Sequence, residues 1–171
     1  MGKIVLQFST TKNSASRIIQ WYSAGKYAHV DSVMPDWHPK AGWLLGSRSD
    51  HPGDLPAGVQ IRPPDYHAFK EKLVLTIPCS DKKERAYYAA LEAEVGKPYD
   101  SMAIWAFALD RHWRSEGSWI CSELVAKMLE ESKVFVHCLY LEANKIMPVT
   151  LLLALSAIVD VRKNSCSTSP I

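Results

Sequence analysis

The sequence predicts an α+β domain in which an antiparallel β-sheet packs against helices. Short β-prone runs, separated by prolines, glycines and polar turns, are concentrated in the first half of the chain. Apolar residues with the three- and four-residue spacing of a helix are concentrated in the second half. A chain of 171 residues is long enough to bury one core of its own. We therefore predict a single domain over residues 1–162, followed by a flexible tail at residues 163–171.

Five segments have the character of β-strands, with β-branched and aromatic residues bounded by turn residues. Prolines at positions 35, 63 and 78 are expected to end three of them, because proline has no N–H for a strand ladder. In the second segment, alternation places His29 and Asp31 on one face and Val30 and Ser32 on the other. The predicted strands are residues 3–8, 27–34, 42–47, 58–62 and 72–77.

The helical segments carry start signals as well as apolar spacing. Asp81 and Glu84 form a capping-box signature, and Pro148 suits the first position of a helix because its missing N–H needs no partner there. Ser118 is the predicted N-cap of the segment that contains Cys121, and Glu123 is expected on its exposed side. The predicted helices are residues 15–22, 81–95, 101–109, the segment from Cys121 onward, and residues 148–161.

Composition excludes several classes of function. Charged residues make up 22% of the chain with a net charge of +2, which is too balanced for a nucleic-acid-binding protein. The four cysteines are widely separated, with no C-x-x-C pair for zinc and no dense disulfide framework, so we expect reduced thiols, no metal and no cofactor. They are Cys79, Cys121, Cys138 and Cys166.

The hydrophobic segments do not predict a membrane protein. The N-terminal run is too short for a secretory signal and lacks a small-residue cleavage site. The longest apolar segment, residues 149–161, is interrupted by Ser156 and Asp160 and is shorter than the roughly 20 residues that a membrane span needs. Together with the cysteine pattern, this predicts a cytoplasmic protein without an integral membrane segment.

Cys121 is the candidate nucleophile. The apolar residues after it fall at the third, fourth, seventh and eighth positions, which places the thiol in the first turn of a helix that packs on a core. Unpaired N–H groups and the positive end of the helix dipole favour the thiolate there. A single cysteine on an apolar helix face is nevertheless more often a packing residue. A catalytic function therefore requires a base close by.

His29 is the best candidate for that base, because it lies within a predicted strand between apolar neighbours, whereas the other histidines lie in loops, in polar connections or, for His137, beside a predicted surface strand. The imidazole needs a polar group to orient it. Asp31, two residues along the same strand face, and Ser47, on the next strand, are equally suitable. Tyr99, in a turn before the Cys121 helix, is a candidate donor to an oxyanion, together with the backbone N–H of Cys121.

Three motifs carry a resemblance to a known family: Tyr-Ala-His29-Val-Asp31, Gly-Lys-Pro-Tyr99-Asp and Trp-Ile-Cys121-Ser-Glu-Leu-Val. Over residues 3–130 the chain resembles the permuted papain-like hydrolases of the YiiX-like branch of the NlpC-type superfamily, which is related to lecithin:retinol acyltransferase. The resemblance implies a circularly permuted papain-like fold, an antiparallel sheet or barrel packed against helices. It also implies Cys121 as nucleophile, His29 as base and an acyl-thioester intermediate formed from an amide or ester.

One position departs from the family pattern. Many relatives follow the His-Val pair with glycine and take a carboxylate from the next strand. Here that strand reads Trp-Leu-Leu-Gly-Ser over residues 43–47 and has no carboxylate, which makes Asp31 the more attractive third residue.

Three functions follow from these residues. The first is a cysteine hydrolase, an amidase, peptidase or esterase, that acts on a small acyl, peptide or lipid-like substrate. The second is an acyltransferase that uses the same thioester. The third is a non-catalytic module that binds a lipid or peptide tail through some of the six tryptophans.

Overall fold

The structure of the chain is a computed structural model. It describes residues 1–11, 17, 19–20, 24–50, 56–100, 117–134, 146–157 and 161–162. The elements in chain order are β1 (Gly2–Thr10), β2 (His29–Val33), β3 (Leu44–Arg48), β4 (Gly58–Arg62), β5 (Glu71–Cys79), α1 (Asp81–Glu92), α2 (Cys121–Glu131), α3 (Pro148–Ser156) and β6 (Val161–Arg162).

The strands form one six-stranded sheet in the order β4-β3-β2-β1-β5-β6. Every neighbouring pair is antiparallel. The central strand β1 pairs with β5 along its whole length, and its alternate residues Ile4, Leu6 and Phe8 are fully buried. This alternation is what a sheet with one core-facing surface requires. The predicted α+β class with an antiparallel sheet is confirmed.

Helices α1 and α2 pack against the sheet and close the core. Tyr87 and Tyr88 of α1 are buried, and both of their hydroxyl groups bond to β2. The hydroxyls of Tyr87 and Ser32 lie 2.7 Å apart, and Tyr88 donates to the carbonyl of Val33 at 2.7 Å. Because buried hydroxyls need partners, these bonds fix the orientation of α1 on the strand that carries His29.

The helix caps differ from the predicted ones. Helix α1 is capped by Ser80, whose side chain accepts from the N–H of Lys83, and not by Asp81. The N-cap of α2 is Ile120, without a side-chain cap, so the prediction for Ser118 is wrong. Helix α2 therefore starts at Cys121. In a helix capped by Ser118, Cys121 would be the third helical residue, whereas here the thiol belongs to the first residue of the turn that carries the unpaired N–H groups.

Two predicted boundaries are wrong for reasons of tertiary pairing. Strand β5 continues through Pro78, which is opposite Lys3 of β1. On its other side, the described pairs between β5 and β6 are Val74 with Arg162 and Leu75 with Val161. The last helix was predicted to continue to residue 161 but ends at Ser156. Position 161 belongs instead to β6, which pairs with the edge of β5.

Some predictions fall on other parts of the chain. The helix predicted at residues 101–109 and the tail predicted at 163–171 lie outside the described residues. Of the helix predicted at residues 15–22, the described positions 17, 19 and 20 are helical. Among the described helices, none has the length and apolar character needed to cross a membrane.

Candidate active site

The candidate site lies where β2 and β3 separate. The two strands pair only through Ser32 with Leu45 and Val33 with Leu44, although each strand is five residues long. The first residues of β2 are thus paired with β1 on one side and have no ladder partner on β3. Helix α2 packs against β2, and the backbone of Val30 is among the groups that lower the pKa of the Cys121 thiol. Strand separation therefore positions the thiol.

Cys121 is the first residue of α2 and is 5% exposed. Burial by itself raises the pKa of the thiol, but His29 outweighs burial through its charge and a side-chain hydrogen bond, and the Val30 N–H adds to the effect. The pKa of Cys121 is therefore lowered from its ordinary value. The start of the helix, with its N–H groups, favours the same ionised form.

His29 is the first residue of β2 and is 8% exposed. Its Nε2 lies 2.8 Å from Oδ1 of Asp31, a close ion-pair contact without the alignment of a normal hydrogen bond. Burial lowers the pKa of His29 and Arg48 adds to that, but Asp31 and Cys121 outweigh them and raise the pKa to about 9. The imidazole is therefore protonated at neutral pH when it is paired with the thiolate.

Asp31 is 1% exposed and both of its oxygens have neighbours. Oδ1 contacts His29, and Oδ2 accepts a hydrogen bond from the hydroxyl of Tyr66 at 3.1 Å. Burial raises the pKa of Asp31, but the close charge of His29 and the charges of Arg48 and Arg62 lower it, and the net direction is downward. The carboxylate is ionised when the thiol and imidazole form an ion pair.

Ser47 is fully buried but has a different partner. Its hydroxyl donates to the backbone carbonyl of Trp119 at 2.6 Å, two residues before Cys121. This bond ties β3 to the segment that leads into α2. Of the two candidates for orienting the imidazole, the structure brings Asp31 to His29, whereas Ser47 supports the backbone next to Cys121.

Tyr99 is held beside the same segment by an isolated parallel bridge to Trp119. Backbone hydrogen bonds on both sides of the tyrosine fix it there, from Trp119 to Pro98 at 3.1 Å and from Asp100 to Trp119 at 3.2 Å. Burial raises the pKa of the Tyr99 hydroxyl, and the neighbouring Cys121 raises it further. The hydroxyl therefore stays protonated near the thiol and is able to donate a hydrogen bond.

The polar groups around Asp31 include four residues that the sequence patterns did not single out. Arg48 binds Asp50 through two hydrogen bonds of 2.6 Å and Tyr66 through one of 2.9 Å. Arg62 is fully buried and donates to the carbonyls of Gly46 and Gly58. Both arginines end strands of the sheet, a position that does not by itself mark a charged residue as buried. Tyr66 lies in a loop, where its sequence context carries no signal.

No family model matches the chain, and no curated protein matches it significantly. The structure is similar to the crystal structure of metalloprotein yiiX, a DUF1105 protein from Escherichia coli O157:H7, with 20% sequence identity and a TM-score of 0.56. The match covers 77% of this chain and 64% of that chain.

At 20% identity the similarity shows the fold alone. The YiiX fold is of the papain-like NlpC/LRAT type, and the antiparallel sheet with packed helices observed here is compatible with it. The word metalloprotein describes yiiX. In the described part of the present chain, no group of three or more His, Cys, Asp or Glu side chains could hold a metal ion, so the donors there do not fit a metal centre.

Gly46 makes room for the carboxylate. The pairing of β2 with β3 ends at Ser32 and Leu45. If the same register continued by one residue, Asp31 would be opposite Gly46. A Cβ atom at position 46 would lie 2.1 Å from Oδ1 of Asp31, far closer than any real contact. The absent side chain on β3 therefore creates the space in which the carboxylate meets His29.

Replacing Gly46 by Ala is expected to displace the Asp31 carboxylate and to lower the pKa of His29 from about 9, with a loss of roughly 1–3 kcal/mol in unfolding free energy. NMR titration of the histidines and chemical denaturation measure the two effects. Gly42→Ala is the control, because Gly42 has a φ of 78° and nothing within 4 Å of an added Cβ. It should cost stability through backbone strain and leave the titration of His29 unchanged. An unchanged His29 titration in Gly46→Ala would contradict this role.

Proposed function

We propose that the protein is a cysteine hydrolase that cleaves an amide or ester through an acyl-thioester on Cys121. The observation that carries the proposal is the buried thiol at the start of α2, whose pKa is lowered by His29, together with the 2.8 Å contact between the His29 ring and the buried carboxylate of Asp31. In the permuted papain-like hydrolases that the sequence resembles, the base comes before the nucleophile along the chain. His29 comes before Cys121 in the same way. We therefore also propose the circularly permuted arrangement of the papain-like fold. From the widely separated cysteines we propose a cytoplasmic location.

The proposed reaction begins with attack of the Cys121 thiolate on the substrate carbonyl. The negative charge that develops on the carbonyl oxygen is stabilised by the N–H of Cys121 at the helix start and by the hydroxyl of Tyr99. The His29 imidazolium then donates its proton to the departing amine or alcohol, leaving the acyl group on sulfur. Neutral His29 next takes a proton from water, whose oxygen attacks the thioester, and the acid and the thiolate–imidazolium pair are regenerated.

The pH dependence of alkylation tests the first requirement, an ionised Cys121. We expect the rate with iodoacetamide to be nearly constant from the lowered pKa of the thiol up to about pH 9, where His29 loses its proton. Only the thiolate reacts with iodoacetamide. At pH values below the pKa of an ordinary thiol, the rate therefore rises about tenfold for each unit by which the pH increases. The measurement is the initial rate of modification of the Cys121 peptide, followed by mass spectrometry across the pH range.

Cys79 is the internal control. Burial and the nearby Glu84 raise its pKa, and it lies half-buried at the end of β5. Its rate should rise steeply with pH over the range in which the rate of Cys121 is flat. The two cysteines are compared by how their alkylation rates change with pH and not by the absolute rates, since burial slows the entry of the reagent to Cys121. A steep rise for Cys121 parallel to that of Cys79, unaffected by His29→Ala, would refute the proposed function.

A further inference from the structure

The hydroxyl of Tyr66 has a defined direction. Arg48 Nη1 lies 2.9 Å from it and can only donate, so the oxygen of Tyr66 accepts from Arg48. The single proton of the hydroxyl is then left for the other neighbour, Oδ2 of Asp31 at 3.1 Å. Burial raises the pKa of Tyr66, and the Asp31 charge raises it further, so that proton is retained. The direction of both bonds is thereby fixed.

Arg48 is itself held in place. Its Nε and Nη2 each lie 2.6 Å from one oxygen of Asp50, which leaves Nη1 directed at Tyr66. Two parallel hydrogen bonds between a guanidinium and a carboxylate fix the plane of the guanidinium. The Arg48 side chain is only 6% exposed, so water competes little for these bonds. Asp50 therefore anchors the arginine that orients the tyrosine.

The ring of Tyr66 is also fixed from its sides. The guanidinium carbons of Arg48 and Arg62 lie 5.2 Å and 5.7 Å from the ring centroid, and the ring of Phe69 meets it edge-on at 5.3 Å. Contacts between a guanidinium and an aromatic ring at this distance are attractive. Tyr66 therefore reaches Asp31 from a loop with little freedom to move.

We propose that Tyr66 is a positioning residue that holds the Asp31 carboxylate against His29, with Arg48 and Asp50 as its support. The inference rests on the proposed function and deepens it. The Nε2 of His29 has no aligned hydrogen bond in the described residues, so the imidazolium depends on where the carboxylate is held. Without the hydroxyl, Oδ2 of Asp31 loses a donor and Oδ1 is free to leave the ring.

The charged and titratable groups that act on His29 come from several elements. Asp31 lies on β2, Arg48 on β3, Cys121 on α2 and Asp50 just after β3. Arg62, at the end of β4, acts on Asp31. Removing the Tyr66 hydroxyl changes none of these charges, so its effect on His29 reports the position of the carboxylate.

The experiment is a titration of His29 by NMR in the full chain with labelled histidine, assigned by comparison with His29→Asn. In the unchanged protein we expect a pKa of about 9. In Tyr66→Phe we expect it to fall by at least about one unit, a tenfold loss of proton affinity. Arg48→Lys keeps the charge but cannot bind Asp50 and Tyr66 in the same way, so it should produce a smaller fall in the same direction.

Tyr88→Phe is the matched control. Tyr88 is also a buried tyrosine with a hydrogen-bonded hydroxyl, but it bonds the backbone of Val33 and lies on α1. Its loss should lower stability and leave the titration of His29 unchanged. A double-mutant cycle adds the decisive comparison, because the effect of Tyr66→Phe should largely disappear in an Asp31→Asn background.

The outcomes separate the two proposals. A His29 titration that is unchanged in both Tyr66→Phe and Arg48→Lys would overturn the role of Tyr66. So would an equal shift in Tyr88→Phe, or a shift of the same size in the Asp31→Asn background, since either would indicate a general structural effect. An ordinary His29 pKa in the unchanged protein, with an alkylation curve for Cys121 like that of Cys79, would instead overturn the proposed function itself.

Discussion

Replacing Cys121 by Ser is expected to reduce acyl-enzyme formation by a factor on the order of 10³ or more while the fold is retained. The hydroxyl is close to the thiol in size and still able to bond His29, so packing at the start of α2 changes little. Its pKa is far higher than that of a thiol, so the hydroxyl does not form the ion pair with His29 that lowers the pKa of Cys121. The nucleophile is then almost entirely neutral.

The measurement uses p-nitrophenyl acetate, an activated ester, as the probe. The release of nitrophenolate is followed in time, and peptide mapping locates the acetyl group. The unchanged protein should carry the acetyl group on Cys121 during turnover, and the Cys121→Ser protein should not. Cys79→Ser is the control and should behave like the unchanged protein. Equal release by the Cys121→Ser and unchanged proteins would show that the ester reacts elsewhere on the chain.

The placement of Cys121 at a helix start and of His29 in a strand was predictable from sequence, because each lies in a local pattern with a physical meaning. Cys121 is followed by helical apolar spacing, and His29 is flanked by apolar strand residues. Both patterns describe neighbours along the chain, and the structure has the predicted helix and strand. The choice between Asp31 and Ser47 was not accessible in this way, because it depends on the separation of β2 from β3 and on the space left by Gly46.

The support of the site was not predictable for a related reason. Tyr66 reaches Asp31 across 35 residues of chain, from a loop without periodicity. Glu123 illustrates the same limit within a helix, because it was expected on the exposed side and is only 2% exposed. A helical pattern tells which residues face the core but not which polar residue is covered by another part of the chain. Contacts of this kind depend on tertiary structure.

Replacing Asp31 by Asn is expected to lower the pKa of His29 from about 9 to below its ordinary value of 6.5. The physical reason is that burial and Arg48 both lower this pKa, and Asp31 is the largest influence that raises it. When the carboxylate is replaced by a neutral amide of the same shape, only the thiolate remains to favour the imidazolium. Reaction with p-nitrophenyl acetate near neutral pH should fall by a factor on the order of 10².

The sign of the pH effect follows from the two ionisations. The thiolate–imidazolium pair exists above the pKa of Cys121 and below the pKa of His29. Because Asp31→Asn lowers the pKa of His29, the upper limit of activity should move to lower pH, away from about pH 9. A shift of this limit toward higher pH, or no shift, would contradict the role of Asp31. Asp36→Asn, at an exposed carboxylate paired with Lys3, should leave the limit in place.

Stability gives an independent measurement that needs no substrate. A histidine whose pKa is raised by folding contributes stability that is full below its unfolded pKa of 6.5 and is lost as the pH rises through about 9. A carboxylate whose pKa is lowered contributes stability above its unfolded value, about 4, and loses it as the pH falls through its lower folded value. The difference in unfolding free energy between the unchanged and Asp31→Asn proteins should therefore be largest between about pH 4 and 6.5 and should shrink toward pH 9. Since the same carboxylate raises the pKa of His29 and stabilises the fold, the upper pH limit of activity and the decline of this difference should occur together.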